Sequence, residues 1–234
     1  MATLNIFSAG AAQAVVSQIA EAFRQETANR VAATYGAVGA MQAKIIAGEA
    51  ADVIVLTAAL IDGLIDKGYV TPGSRVDLGR VGTGVAVRAG APLPDVSTVD
   101  ALRARILASE RILCPDPAVA TAGKVVLGLL ERLGIADQMK GRLAFFPNGY
   151  AAMGELARSG GERDTGITQV TEIIPNKGVA FLGPLPAEVQ TTTIYSVGLA
   201  ARSAHPDLAR DFIARVIGAR ELLVAAGYQI DDRA

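Results

Sequence analysis

Leu4 to Ala20 reads LNIFSAGAAQAVVSQIA, and how this stretch divides decides the fold. Leu4, Ile6 and Phe7 form an apolar run of strand length, which Ser8, Ala9 and Gly10 interrupt. From Ala11 the apolar spacing turns helical, with Val15, Ile19, Ala22 and Phe23 on one face. A strand, a turn of small residues and a helix make half of a βα unit. Such a turn offers backbone N–H groups and the positive end of a helix dipole, which together attract an anion. Ser8 adds a hydroxyl donor beside the N–H groups of Gly10 and Ala11.

The device recurs. Arg30 to Tyr35 reads as a second strand, followed by Gly36-Ala37-Val38-Gly39-Ala40 and a helix through Met41, Ile45 and Ile46 that stops at Gly48. Asp52 to Leu56 is a third strand, apolar throughout after its Asp, with Thr57 at its end; a helix from Ala58 to Lys67 stops at Gly68. This β-α-β-α-β-α order predicts a parallel sheet with right-handed crossovers, whose ligands bind beyond the carboxyl ends of the strands. Ser8, Gly36 to Gly39 and Thr57 are the residues at those ends.

Val81 to Arg88 alternates Gly and Val and reads as a strand leaving this first lobe. A helix from Ser97 to Ala108 follows, then a strand from Arg111 to Cys114 that ends in Pro115-Asp116-Pro117. Thr121-Ala122-Gly123 opens the next helix, Lys124 to Leu133. Ala144 to Phe146 is a strand leading through Pro147-Asn148-Gly149 into a helix from Tyr150 to Arg158. Thr165 to Val170 is a strand carrying Gln169 at its end, with Glu172 just beyond, and Val179 to Leu182 is a further strand. Thr191 to Ala201, which contains Tyr195, returns to the first lobe, and helices at Ala209 to Ile217 and Glu221 to Ala225 close the chain. The expected fold class is therefore α/β in two lobes, residues 1–82 with 195–234 and residues 83–194. Each lobe is a mostly parallel sheet flanked by helices, and two crossover strands join them.

Composition narrows the function. Hydrophobic residues make up 51% of the 234 and charged residues 19%, enough for a substantial core. The formal net charge of −1, with no basic stripe, argues against nucleic acid, as does an aromatic content of 5%. No apolar run approaches the ~20 residues of a membrane span, so direct membrane insertion is not expected. The absence of a recognisable export signal leaves two locations open: cytoplasmic as written, or periplasmic if a signal peptide was removed. Cys114, the one cysteine, is expected to be a small buried hydrophobe. Nothing has the spacing of a metal site, a dinucleotide or phosphate loop, or a nucleophile elbow, and neither metal nor cofactor is expected. Arg88, Lys124 and His205 are read as surface or turn residues.

With these residues assigned, the opening strand with SAGAAQAV, the segment AKIIAGEAADVIVLTA (Ala43 to Ala58), the turn PDPAVATAGK (Pro115 to Lys124) and the closing strand resemble the molybdate-binding type of periplasmic solute-binding protein. The resemblance implies lobes that close on an oxyanion held by neutral donors, the crossover strands acting as hinge, and a handover to an ABC transporter membrane component if the protein is exported. Ser8 matches the serine donor of the first lobe, Ala122 a backbone donor, and Gly149 or Tyr150 lies near the next donor. Two departures stand out: Ala37-Val38-Gly39 replaces a run of small hydroxyl residues, and Thr168-Gln169-Val170 replaces a tyrosine. A tetrahedral metal oxyanion needs donors on every side, so the departures favour an organic carboxylate over molybdate. The Thr168-Gln169-Val170-Thr171-Glu172 pattern is also similar to a branch containing aconitate isomerase. The expected ligand residues are Ser8, Gly10, Ala11, Gly36, Val38, Gly39, Thr57, Thr121, Ala122, Asn148, Gly149, Gln169 and Tyr195. The alternative function is an isomerase of an unsaturated polycarboxylate, with Glu172 as candidate base.

Overall fold

The computed structural model describes residues 1–230. The chain divides into two compact units: Met1–Arg80 with the segment from Thr193 onward, and Val81–Thr192. The boundaries fall inside two strands that pass from one unit to the other.

In the first unit, strand β1 (Thr3–Ala9) leads through a 3-10 turn at Gly10–Ala12 into α1 (Gln13–Thr27). Strand β2 (Arg30–Gly36), helix α2 (Val38–Ile46), strand β3 (Val53–Thr57) and helix α3 (Ala58–Asp66) follow. Both β2 and β3 run parallel to β1. Every residue of β3 is buried, as a strand covered on both faces requires. The face that α1 buries is Val15, Val16, Ile19, Ala20 and Phe23; Ala22, expected on it, is exposed. Gly48 and Gly68, just past α2 and α3, have φ of +85° and +74°, the left-handed conformation that ends a helix most cheaply in glycine.

Strand β4 (Val76–Arg88) starts five residues earlier than the Gly-Val alternation suggests. Its opening residues carry the charges of Asp77 and Arg80 and are mostly exposed, so no apolar pattern marks them. It passes into the second unit, which continues with α4 (Val99–Ala108), β5 (Ile112–Pro115), α5 (Thr121–Arg132) and the short α6 (Ala136–Met139). Then come β6 (Leu143–Phe146), α7 (Gly149–Ser159), β7 (Thr165–Gln169), the single-turn α8 (Val170–Ile173) and β8 (Val179–Pro184). The parallel strands β7, β5 and β6 lie side by side, and β4 pairs antiparallel with both β7 and β8. Alternate residues of β5 enter different cores. Ile112 and Cys114 join Val126, Leu129 and Ile167 on one face of the sheet, while Leu113 joins Met153, Leu156 and Ile173 on the other.

Strand β9 (Thr192–Leu199) pairs antiparallel with β3 in the first unit. Helices α9 (Pro206–Gly218) and α10 (Arg220–Ala225) complete that unit. Phe212 of α9 meets Phe23 of α1 edge to face, at 5.3 Å between ring centres.

Two helices begin before their expected positions. α2 starts at Val38, so Val38 and Gly39 lie in its first turn rather than in a preceding loop, and α5 starts at Thr121 rather than Lys124. Gly39 reads as a loop residue, but first-turn N–H groups have no partner within the helix, so glycine there forfeits no such bond. Helix α6, with the 3-10 turn at Lys140–Arg142 after it, has no counterpart in the sequence reading; four residues are too few for an apolar period.

Candidate functional site

The parallel register sets the first unit's candidate residues side by side. Ser8 lies opposite Tyr35 on β2 and Val55 on β3, Ala9 lies opposite Gly36, and Thr57 lies opposite Tyr195 on β9. Ser8, Gly36 and Thr57 thus end three adjacent strands, with Gly10 and Ala11 in the turn after β1 and Val38 and Gly39 opening α2. The residues preceding the three helical starts, Ala9, Ala37 and Thr57, supply no side-chain cap, and none of these starts carries an acidic residue in its first turn. The rim is therefore rich in N–H donors and free of first-turn carboxylates.

Ser8 is fully buried, and its hydroxyl donates to the Ala9 carbonyl at 3.1 Å. Tyr195, 3% exposed, stacks edge to face on Tyr228 with ring centres 6.4 Å apart. The Tyr228 hydroxyl donates to the Ala11 carbonyl at 3.3 Å and so braces the turn after β1. Sequence reading missed Tyr228. Its one signal is a large aromatic next to Gly227, the residue read only as a helix stop. Burial pushes the Tyr35 phenol up to about 12.

In the second unit the ends of β5, β6 and β7 carry the candidates. After β5, the first turn of α5 packs against the strand end: a Cβ on Gly123 would lie 2.4 Å from the Pro115 carbonyl oxygen. Glycine is the residue that lets Thr121 and Ala122 come this close. Ala120, ahead of α5, provides no side-chain cap, and the first turn holds no acid. The Asp116 N–H donates to the Phe146 carbonyl at 2.8 Å and ties the β5 and β6 ends together.

The starts of α7 and α8 are built differently. Asn148 caps α7, its Oδ1 accepting from the Ala151 N–H at 2.8 Å. Glu172 is 4% exposed. It accepts from the Thr168 hydroxyl at 2.6 Å and from the backbone N–H groups of Tyr150, Gly149 and Gln169. Desolvation outweighs these bonds and pushes the carboxyl up to about 7. A Cβ on Gly149 would fall 2.0 Å from both Glu172 Oε2 and Thr168 Oγ1, so a side chain there is incompatible with this arrangement. Gln169 is fully buried. Oriented with its nitrogen toward the two carbonyls, its amide donates to Val81 and Gly82 at 3.2 and 3.3 Å, binding β7 to β4. The Asn148 oxygen, the Gly149 N–H and the Gln169 nitrogen, expected as ligand contacts, are thus engaged within the unit. Beside them, the buried Thr171 hydroxyl has no hydrogen-bond partner among the described residues.

A surface cavity of about 770 Å³ lies elsewhere in the first unit, lined by Asp62, Arg75, Asp77 and Gln229 among others, and contains none of the expected site residues. Arg75 bonds to both Asp62 and Asp77 there. Among the described residues no group of three or more His, Cys, Asp or Glu side chains gathers to hold a metal. No helix among them is long and apolar enough to cross a membrane.

Residues 4–229 match the family model described as bacterial extracellular solute-binding protein. The chain belongs to this family. Among individual members of known sequence, this solute-binding protein is 28% identical to an aconitate isomerase of a Pseudomonas species over 213 residues, covering 89% of this chain and 79% of that one. It is 23% identical to a putative ABC transporter substrate-binding lipoprotein of Bacillus subtilis, with 90% and 79% covered. Among solved structures, the periplasmic molybdate-binding protein of Azotobacter vinelandii superposes with a TM-score of 0.82 at 21% identity, covering 98% of this chain and all of that one. The sulfate-binding protein SubI of Mycobacterium tuberculosis superposes at 0.76 and 18% identity, covering 99% and 88%. At these identities the superpositions establish the fold: the α/β periplasmic-binding architecture, with β4 and β9 as the two strands that cross between units.

Proposed function

We propose that this solute-binding protein takes a small organic carboxylate rather than molybdate. The observation that carries the reading is the set of helix starts at the ends of β1, β2, β3 and β5, which have neither a side-chain cap nor a first-turn acid. Such starts present neutral N–H donors, which suit an anion's oxygens without requiring a counter-ion. Ser8, Thr57 and Thr121 are the hydroxyl residues at these starts, whereas Ala37-Val38-Gly39 offers backbone alone. A tetrahedral dianion would leave charged oxygens without donors, at a cost of several kcal/mol each. A planar carboxylate with an apolar carbon skeleton makes fewer demands. The Bacillus relative's name supports delivery to an ABC transporter membrane component, and the family description supports a location outside the cytoplasm. A thermal-shift and calorimetric panel of molybdate, tungstate, sulfate and small carboxylates tests this reading. Carboxylates are expected to raise the melting temperature. A strong molybdate shift with none from carboxylates overturns it.

A second reading has its own observation. Glu172 is a buried carboxyl balanced near neutrality at the end of β7, and a relative at 28% identity is named an aconitate isomerase. A group of this kind can remove a proton from one carbon of an unsaturated polycarboxylate and return it to another as the double bond moves. Helix starts would stabilise the enolate-like charge that develops. Incubation with cis- or trans-aconitate, followed by proton NMR for the other isomer, decides it. Absence of turnover removes this reading and leaves the first.

A further inference from the structure

We propose that Glu172 is a built-in anion at the start of α7 and that it selects the ligand by charge. The inference rests on the carboxylate-binding reading and concerns the second unit alone. Five donor groups converge at this corner. Gly149, Tyr150 and Gln169 give backbone N–H groups to the Glu172 carboxyl, Thr168 gives its hydroxyl at 2.6 Å, and the Ala151 N–H goes to Asn148. The first turn of α7 is therefore saturated from within. Gly149 makes this possible, because any Cβ there would stand 2.0 Å from the carboxylate oxygen.

The consequence is an uneven rim. The end of β5 opens into α5 with no cap and no acid, and so attracts negative charge. The ends of β6 and β7 carry a carboxyl group that cancels the α7 dipole and repels a second negative charge. The ligand class that fits is anionic at one end and neutral at the other, with a hydroxyl or a protonated carboxyl to offer Glu172. Compact dianions such as sulfate and molybdate, charged on every side, are excluded by this carboxylate as well as by the shortage of hydroxyl donors.

The test compares wild type with Glu172→Gln at pH 8, using sulfate and molybdate as probes in calorimetry. Gln keeps an acceptor for Thr168 and removes the charge. The variant is expected to bind both dianions about tenfold more tightly than wild type, one unit charge at short range being the difference. Thr168→Val is the second variant, for the case in which Glu172→Gln loses its native circular dichroism. It keeps the carboxyl but deletes a donor that favours ionisation, and moves dianion affinity in the same direction by a smaller factor. Unchanged dianion affinity in the folded variants overturns the proposal. These arms are independent of wild-type carboxylate binding. Failure of the carboxylate panel refutes the parent reading, whereas a flat dianion response refutes the role of Glu172.

Discussion

Replacing Glu172 with Gln perturbs a group whose contribution to stability has a definite sign. The carboxyl ordinarily titrates at 4.5, and burial raises it to about 7 in the folded protein. Below pH 4.5 both the folded and the unfolded chain hold the proton, and the group costs nothing. As the pH rises from there, the unfolded chain releases its proton while the folded one retains it, so unfolding becomes easier. Above about 7 the folded protein carries a desolvated charge and the full penalty is present. At about 1.4 kcal/mol per pH unit, the interval from 4.5 to about 7 amounts to roughly 3 kcal/mol. Gln has the same shape and does not titrate. Urea unfolding at pH 5 and pH 8, followed by circular dichroism, should therefore show wild type losing roughly 3 kcal/mol relative to the variant over that range. The difference isolates Glu172, because every other titrating group is common to both proteins. Parallel pH profiles, or wild type gaining on the variant as pH rises, would refute the reasoning.

Gly149→Ala drives a methyl group into Glu172 and Thr168, and should lower stability by about 3 kcal/mol. Combining it with Glu172→Ala relieves part of the clash, so thermal melts should show the two losses to be less than additive. Gly123→Ala meets backbone, 2.4 Å from the Pro115 oxygen and 2.6 Å from the Pro117 nitrogen, which cannot swing aside as a side chain can. It should cost about 2 kcal/mol and weaken carboxylate binding through the displaced start of α5, as read by melting temperature and calorimetry. Burial pushes the Cys114 thiol up to about 12. The native protein at pH 8 should thus resist a chromogenic disulfide reagent for hours and react at once in denaturant. Rapid labelling without denaturant would contradict the buried position.

The parts of the fold governed by local pattern were legible in the chain. The apolar run of β3, the strand-turn-helix at Leu4 to Ala20 and the glycines after α2 and α3 each follow from short-range sterics or burial. The start of β4 was hidden because its residues are charged and mostly exposed, leaving no period to read. At the rim, position along the strand could be inferred, but partner choice could not. Gln169 looked like an amide placed for a ligand and instead holds β4 through Val81 and Gly82. Gly149 looked like half of an ordinary turn pair; its purpose is visible only once Glu172, from a different loop, is set against it. The bond from Tyr228 to Ala11 joins residues 217 positions apart, and neither residue type announces the other.

The first unit is assembled from both extremities of the chain, and the second from one uninterrupted stretch, Val81–Thr192. During synthesis this arrangement sets an order of events. The second unit has all its strands as soon as Thr192 leaves the ribosome and can condense alone. The first unit must wait, since β3 has no partner on its outer side until β9 is made. For the time needed to translate the intervening segment, a wholly apolar strand edge is bare. Nascent chains stalled between Thr57 and Thr192 are therefore the species most in need of a chaperone.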